Sequence, residues 1–350
     1  MIDVFALAKE AGFAESFLLP VQPYPDWTRH RNDGVFHPNT LPLVNDPKEQ
    51  YPWANAILIC VYPYTPYDDE TLVASYYVAS NRAYHAMKRL LLECREQGIH
   101  AERAETPYRE QLASYGIGVR MDNQLLFIEP YGTYCSLQGA VLSLPEPISY
   151  TPRREPKEVC DHCGLCQTVC FGAIKGNFAF DWSRCVHTYL EGDPMPEDAM
   201  EWMPELLGCM RCQTVCPKNP KTTVPLPEEV KEILDPVRIL AGNRKEASEL
   251  IGRNLSAPKR LFRQAIVLAA NRNRTDALPY LLKLKETDGD RFQAELDYAI
   301  KHLQKQNEVS IIKYRTKRGV SGALYSQSAT ARLNSHPEVN CCEVGPNTER

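Results

Sequence analysis

The sequence predicts a mixed protein with an N-terminal α/β or α+β domain, a cysteine-rich module and a helical C-terminal unit. Up to about residue 144, helical patterns alternate with short apolar runs. Eight of the 13 cysteines then fall between Cys160 and Cys216, and beyond Pro227 one helical pattern follows another. Prolines cluster at both joins, which predicts domains at 1–148, 149–224 and 225–306, followed by a polar and flexible tail at 307–350.

Composition favours an ordinary globular protein. The chain of 350 residues is 43% hydrophobic and 24% charged, and its formal net charge of −4 gives no global reason to bind nucleic acid, although a local basic face still could. The N-terminus carries acidic residues and lacks the pattern of an export signal. The longest apolar runs are far shorter than the ~20 residues of a membrane helix. We therefore expect a soluble, cytoplasmic protein.

The N-terminal domain is predicted from four segments. Residues 56–62 (AILICVY) are typical of a buried strand, and 74–98 has apolar residues at helical spacing and ends at Gly98. The run 124–128 (QLLFI), the turn at 129–132 and the segment 133–144 together predict a hairpin. A domain of this size can bury a core and enclose a ligand.

The cysteine-rich module carries two closely spaced runs. They are Cys160-x2-Cys163-x2-Cys166-x3-Cys170 and Cys209-x2-Cys212-x3-Cys216, with Cys185 between them. A cubane cluster needs four thiolates around a small volume, and short C-x2-C loops supply both the thiolates and backbone amides that donate to the cluster sulfurs. The spacing predicts two [4Fe–4S] clusters.

The ferredoxin pattern also predicts how the ligands are shared. In two-cluster ferredoxins the fourth cysteine of a run binds the other cluster. Applied here, the first cluster takes Cys160, Cys163, Cys166 and Cys216, and the second takes Cys170, Cys185, Cys209 and Cys212. Zinc is the alternative, since C-x2-C pairs also form tetrahedral sites. Phe171 stands where proline usually follows the fourth cysteine, whereas Pro217 keeps that place in the second run.

Other candidate ligands receive a structural interpretation. His162 and His187 lie beside the cysteine ligands, and because cysteine supplies all eight positions we expect them to be supporting or surface residues. Cys60, Cys94 and Cys135 lie in apolar surroundings and are predicted to be inert buried thiols.

The C-terminal unit is predicted to be a series of short helices. They cover 228–241, 244–253, 258–271, 277–287 and 291–306, and their small residues at the contacts are typical of HEAT-like repeats. A basic stripe along them can neutralise phosphates, although solvated helix faces look similar; it comprises Arg253, Lys259, Arg260, Arg263, Arg272 and Arg274. The tail, which contains Cys341 and Cys342 near its end, has no predicted role.

Several motifs resemble the epoxyqueuosine reductases, cobalamin-dependent iron–sulfur enzymes of tRNA queuosine modification that are related to reductive dehalogenases. The resemblance spans most of residues 1–305. Its N-terminal part consists of 52–59 (PWANAILI), Tyr84-His85 with 88–90 (KRL), Gly116-Ile-Gly118 with Asn123, and Tyr131-Gly132 with Leu137. The eight cysteines match in order, as does 208–217 (GCMRCQTVCP).

The resemblance implies base-off cobalamin in an N-terminal cobalamin-binding-type domain, reduced through the two clusters to remove an epoxide oxygen. The cofactor-binding residues it implies are Gly116, Gly118, Arg120, Asn123, Tyr131 and Gly132. In the family an aspartate in D-S-x-P donates a proton, whereas here the stretch reads ERAETP, so that either Glu105 or Glu102 takes its place. The family's W-x-G-K is also replaced by residues 119–122 (VRMD), and Arg120 then supplies the positive charge.

The partners implied are tRNA, bound through the helical unit, and an external electron donor such as a flavodoxin or ferredoxin, with no membrane. Two alternatives remain open. The altered segment 102–123 is compatible with a paralogous reductase that has the same cofactors and another substrate. An electron carrier without corrinoid would use the clusters alone.

Overall fold

The computed structural model describes residues 3–23, 46–69, 72–104, 106–176, 178–191 and 194–317. Residues 1–306 form one compact unit and residues 307–350 a second unit. The helix that begins at Gln293 continues to Lys317, beyond the predicted end of the helical unit at 306. Cys341 and Cys342 lie outside the described residues. The internal boundaries at about 148 and 224 stay predictions.

The N-terminal part is built on a four-stranded sheet. Its strands β1 (Glu15–Pro20), β2 (Ala56–Pro63), β3 (His100–Arg103) and β6 (Cys135–Ser143) lie in the order β1-β2-β6-β3, and all three pairings are antiparallel. The strand predicted at 56–62 is β2. Its six leading residues are all buried because both faces of the sheet are covered, which explains an apolar run without alternation.

Two cores cover the two faces. Leu58 and Cys60 point toward helices α1 (Val4–Glu10) and α3 (Ser75–Glu96), while Ile57 and Ile59 point toward the opposite face, where Leu112 is buried. Successive strand residues alternate between these cores as the pleat requires. The helix α3 confirms the prediction for 74–98, and Gly98 follows it with φ +80°, the left-handed conformation that ends helices.

Three shorter helices and one small ribbon complete this part. The helices are α2 (Pro47–Gln50) and α4 (Tyr108–Ser114) here and α5 (Leu165–Thr168) at the first cysteine run. The predicted hairpin of 124–128 with 133–144 is wrong. The strand β5 (Leu126–Phe127) pairs instead with β4 (Val119–Arg120), while β6 pairs with β2 along its length and with β3 at residues 140–143.

The cysteine-rich part has little regular structure. It contains strands β7 (Ile174–Gly176) and β8 (Ala179–Phe180), helices α6 (Glu197–Trp202) and α7 (Arg211–Thr214), and 3₁₀ turns at Trp182–Arg184 and Val186–Glu191. Helix α7 packs near α5, so the two cysteine runs are neighbours in space.

The helical unit follows. Its helices are α8 (Glu228–Ile233), α9 (Pro236–Leu240), α10 (Lys245–Ile251), α11 (Pro258–Asn271), α12 (Leu278–Asp288) and α13 (Gln293–Lys317). The single helix predicted at 228–241 is interrupted, because Pro236 cannot continue α8 and Asp235 caps α9 through the Val237 and Arg238 amides. The HEAT-like repeat stays a prediction. Among the described residues no helix combines the length and apolarity that crossing a bilayer requires.

Candidate redox centre and its cavity

The eight cysteines separate into two groups of four in space. One group lines a small cavity and consists of Cys160, Cys163, Cys166 and Cys216. The other lines a main cavity of about 430 Å³ and consists of Cys170, Cys185, Cys209 and Cys212. All eight are free of disulfide bonds. This division is the one that the ferredoxin pattern predicts, with Cys170 and Cys216 each joining the group of the other run.

Local backbone conformation brings the first group together. His162 (φ +49°) and Gly164 (φ +75°) both adopt the left-handed conformation between Cys160 and Cys166. Left-handed residues reverse the chain sharply and are uncommon outside glycine. Three thiols of one short loop can therefore face a common centre. Cys216, which follows α7 in the chain, supplies the fourth thiol.

The thiols of the second group lie in surroundings that disfavour negative charge. Burial, followed by the thiols of Cys209 and Cys185, raises the pKa of Cys212 well above its ordinary value. Burial likewise raises the pKa of Cys185 to about 12. Buried thiols such as those of Cys185 and Cys212 ionise together only if a cation compensates them, and thiolates are the form that binds iron. The donor set therefore fits a [4Fe–4S] cluster at each group.

The main cavity lies between the N-terminal sheet and the cysteine-rich part. It is lined from one side by residues of 108–137 and from the other by residues of 169–213. Six aromatic rings contribute to the lining: Tyr76, Tyr108, Phe171, Phe180, Trp182 and Trp202. Arg109, Arg184 and Arg211 also line it, whereas none of the described lining residues is Asp or Glu. Such walls suit a flat, largely apolar group with an anionic portion.

A hydrogen-bond network fastens the two sides together. The side chain of Asn219 accepts from the Thr133 amide (2.9 Å) and donates to the Thr133 hydroxyl and the Gln213 carbonyl (both 2.8 Å). Tyr64 donates to Gln213 Oε1 over 3.1 Å, and Tyr134 donates to the Gln213 carbonyl over 3.3 Å. Gln213 lies in α7 between two cysteines of different groups, so this network fixes α7 against the start of β6.

Asn123 is the predicted cofactor-binding residue that lines the main cavity. Its Nδ2 lies 3.4 Å from the carbonyl of Cys212, and its Oδ1 accepts from the Leu125 amide over 3.1 Å. Asn123 therefore joins the N-terminal part to the backbone of a cysteine ligand.

The predicted glycines have protein neighbours instead. A Cβ on Gly116 would meet the Arg154 carbonyl at 2.1 Å, one on Gly118 the Leu126 side chain at 2.7 Å, and one on Gly132 the Asn219 side chain at 2.5 Å. Their missing side chains thus make room for other parts of the chain. None of the three is among the described residues that line the main cavity.

Arg120 and Tyr131 also lie behind the lining. Arg120 donates to Oε1 of Gln124, which does line the main cavity, and burial lowers the pKa of its guanidinium. Burial raises the pKa of Tyr131, with Glu15 as the next cause. Both residues therefore support the wall through neighbours.

The two predicted proton donors have different positions. Glu102 lies on β3, where its side chain is 45% exposed and bonds to His100 over 3.2 Å; it does not line the main cavity. Glu105 lies outside the described residues. Of its described neighbours, Tyr108 lines the main cavity and its ring packs over Gly139 of β6.

The two histidines are held by other side chains. His187 is half-buried, its Nδ1 lies 2.8 Å from the Tyr77 hydroxyl, and desolvation lowers the pKa of its ring. His162 Nδ1 lies 3.0 Å from both carboxylate oxygens of Asp122. Asp122, His162 and Cys160 could together hold a metal ion, but Cys160 belongs to the first group, so this is no separate site.

The predicted basic stripe is divided in the structure. Arg263 is buried in an ion pair with Glu295, and Arg274 pairs with Asp235 and Asp276. Arg253 and Lys259 are exposed. The stripe is therefore not a uniform basic face, because two of its cations are neutralised within the unit.

Most lining residues of the main cavity were not identified as site residues from the sequence, among them four that lie close together. Phe171, Arg184 and Arg211 each adjoin a cysteine in the chain, and Trp202 ends α6. The sequence signal for the first three was their position next to the ligands, which places any large side chain close to the cluster.

The comparisons with known proteins agree with this architecture. No protein-family model matches the chain. An epoxyqueuosine reductase of Bacillus subtilis is 28% identical over 186 residues, which cover 49% of this chain and 47% of the relative. An epoxyqueuosine reductase of Bacillus cereus is 28% identical over 185 residues with the same coverage. The chain thus spans about half the length of the curated relatives it matches.

Solved structures extend the likeness over most of the chain. An epoxyqueuosine reductase from Bacillus subtilis, with its catalytic loop swung out of the active site, has a TM-score of 0.68 at 20% identity and covers 86% of this chain and 89% of its own. A second epoxyqueuosine reductase, bound to an epoxyqueuosine-modified tRNA stem loop, has a TM-score of 0.69 at 18% identity and covers 91% and 94%. The chain is therefore related in sequence to epoxyqueuosine reductases over half its length and has their mixed α/β fold.

Proposed function

We propose that this protein is an iron–sulfur and cobalamin-dependent reductase that converts epoxyqueuosine in tRNA to queuosine. The observation that carries the proposal is the division of the eight cysteines, with one complete set of four lining the same cavity as Tyr108, Arg109 and Asn123 of the N-terminal part. A redox centre and an enclosed site thus share one wall. The choice of epoxyqueuosine in tRNA as the substrate is based on the named relatives and the shared fold.

The reaction needs two electrons and two protons. Two carbon–oxygen bonds of the epoxide break, an alkene forms, and the oxygen leaves as water. When bound, the clusters supply one-electron transfer, and cobalamin supplies a strongly reducing metal centre. The described lining carries no carboxylate, so a proton must come from elsewhere in the chain.

The cysteines also indicate the direction of electron flow. Cys163 of the first group is exposed, whereas Cys212 of the second group lies at the main cavity. We infer that an external donor such as a flavodoxin or ferredoxin reduces the first cluster, which passes electrons to the second. The second cluster then serves the main cavity.

The residues present fit a corrinoid in the main cavity to a limited extent. The aromatic lining and the positive charge of Arg109 suit a flat ring with polar substituents, and Asn123 lies at its edge. No histidine among the described lining residues is available to cobalt, because His187 is bonded to Tyr77 and to the Cys209 backbone. This agrees with a cofactor that is not ligated by histidine.

Glu105 is the proposed proton donor. The main cavity is lined by Tyr108 and Arg109, which follow Glu105 closely in the chain, whereas Glu102 is exposed on an edge strand and is not among the lining residues. Enclosed, apolar surroundings let a glutamate hold its proton near neutral pH.

The test is conversion of substrate by anaerobically reconstituted protein. Wild-type protein with cobalamin and a chemical reductant is expected to convert an epoxyqueuosine-containing tRNA stem loop to the queuosine form, as measured by mass spectrometry of the nucleosides, and to retain corrinoid through gel filtration. Cys212→Ser is the matched inactive control because it removes one ligand of the cluster beside the main cavity.

Two results would contradict the proposal in different ways. Retained corrinoid with unchanged epoxyqueuosine would favour the paralogous reductase, to which the departures at 102–123 point. Protein that carries both clusters but retains no corrinoid would favour the electron carrier.

A further inference from the structure

Two neighbouring aromatic rings with a guanidinium group at each end lie at the edge of the main cavity. The Arg184 guanidinium lies 4.1 Å from the centre of the Phe171 ring, the Phe171 and Trp202 rings are 5.3 Å apart, and the Arg211 guanidinium lies 4.5 Å from the Trp202 ring. The order is therefore Arg184, Phe171, Trp202, Arg211; we call these four residues the guanidinium–aromatic stack. Phe171 is the residue that replaces the usual proline. Proline has no aromatic ring and could not make these contacts with Arg184 and Trp202.

The two ends of the stack differ in charge. Arg184 pairs with Asp198 over 2.9 Å, so its charge is neutralised within the chain. Arg211 is exposed, and its guanidinium makes no ion pair with any residue that the structure describes. One face of this guanidinium is covered by Trp202, which leaves a flat cation held in place by an aromatic ring.

Arg211 lies where a surface groove meets the main cavity. This outer groove has a volume of about 550 Å³ and is lined by Thr168, Val169, Cys170, Trp202, Arg211, Thr214 and Val215. Four of these residues also line the main cavity, namely Val169, Cys170, Trp202 and Arg211. No described residue that lines the groove is acidic. The hydroxyls of Thr168 and Thr214 donate to backbone carbonyls, so Arg211 is the group in the groove that can hold a phosphate.

This combination suits one class of ligand. Unpaired nucleobases stack on aromatic side chains and on arginine planes, and their phosphates are held by arginine and hydroxyl groups. We propose that the outer groove binds the single-stranded RNA nucleotide adjacent to the one that enters the main cavity. Its base stacks on the free face of Arg211, and the same charge holds its phosphate. The inference rests on the proposed function, because that function supplies an RNA whose modified nucleotide must enter the main cavity.

Binding of RNA tests the groove without requiring turnover. The probe is a fluorescently labelled RNA stem loop with an unmodified loop, titrated with cluster-loaded protein at several salt concentrations. Arg211→Ala is expected to weaken binding about 5- to 100-fold and to lower the salt dependence by about 0.7 in the slope of log K against log salt. Arg211→Lys keeps the charge but not the plane, so the slope stays while the affinity falls.

Two further variants complete the design. Trp202→Leu removes the ring behind Arg211 from a helix without cysteines, and it is expected to weaken binding with the wild-type salt slope. Arg82→Ala removes an exposed arginine from α3 and is expected to bind like wild type. Iron and sulfide content is measured for every variant, because Arg211 adjoins Cys212 in the chain and only cluster-loaded variants are compared.

The outcomes separate this inference from the proposed function. Equal RNA affinity and equal salt slopes for wild type, Arg211→Ala and Trp202→Leu would overturn the groove assignment, even if wild type reduces epoxyqueuosine. Wild-type affinity for Arg211→Lys would also overturn it, since charge alone would then suffice, as for an acidic protein partner. The expected losses in a protein that leaves the epoxide unreduced would support the groove and overturn the proposed function.

Discussion

Replacing Glu295 by Gln removes the negative charge that faces Arg263 inside the helical unit. The two side chains are 1% and 4% exposed, so water screens their charges very little. Glu295 also accepts from the Met195 amide over 3.0 Å, and Arg263 donates to the Arg291 carbonyl over 3.0 Å. Gln can still accept from Met195, so the substitution chiefly leaves the guanidinium buried without its counter-charge.

The expected loss follows from that burial. Removing one partner of a buried pair costs about 3–5 kcal/mol of unfolding free energy, because the remaining charge has lost its hydration without compensation. A comparison pair lies nearby: Asp297, on the same helix as Glu295, is 2.7 Å from Lys285 of α12, but the two side chains are 50% and 44% exposed. Solvent screens this pair, so Asp297→Asn should cost less than about 1 kcal/mol.

Urea unfolding followed by far-ultraviolet circular dichroism measures both losses. The double variant Arg263→Met with Glu295→Leu should recover most of the stability, since two apolar side chains of similar size can replace a buried ion pair. The reasoning is refuted if Glu295→Gln and Asp297→Asn lose equal stability, or if the double variant is less stable than Glu295→Gln. Arg263 would then be accessible to solvent, and its predicted role in binding tRNA would regain support.

Three further outcomes are expected. Glu105→Gln should lower the rate of epoxide reduction at least about 100-fold. Glu102→Gln, on the exposed edge of the sheet, should change this rate less than about twofold in the same nucleoside assay. Equal losses would contradict the assignment of Glu105 as the proton donor. Cys216→Ser should lose one complete cluster, so that iron content falls by about half, while Cys94→Ser should keep all of it; full iron in the first variant would show that Cys216 is no ligand. Burial raises the pKa of Cys94 to about 11 and that of Cys135 to about 12. Both thiols should therefore resist iodoacetamide in the folded protein at pH 9 and react only as the pH approaches those values. In urea both thiols should react by pH 9. Because the unfolded thiols ionise first, each also lowers stability as pH rises above about 9.

Local patterns were sufficient for much of the fold. The apolar run at 56–62 and the helical spacing at 74–98 gave the central strand and the long helix, since burial on both faces and termination at Gly98 leave direct marks in the sequence. The partner of β6 could not be read in this way. Its neighbours β2 and β3 are distant in the chain, and the adjacent segment 124–128 looked like an equally good partner.

The candidate site was likewise only partly predictable from local sequence patterns. The cysteine grouping follows from ligand chemistry at short spacing, and the eight cysteines line two cavities in the same two sets of four, while their ligation of clusters stays a prediction. Gly116 and Gly118 were interpreted as room for a cofactor, but the nearest atoms belong to Arg154 and Leu126. A glycine reveals close approach without naming what approaches. The cavity aromatics are brought together only by the tertiary fold.

The Asn219 network has a consequence for the rate at which electrons move. Asn219, Thr133 and Gln213 satisfy one another's polar groups in the interior, so the helix that carries Cys212 cannot shift against the sheet without breaking several hydrogen bonds at once. A scaffold held in this way relaxes little when the charge of the centre beside it changes. Under the proposed function, we therefore expect electron transfer beside this helix to have a small reorganisation energy, so that distance and driving force set its rate.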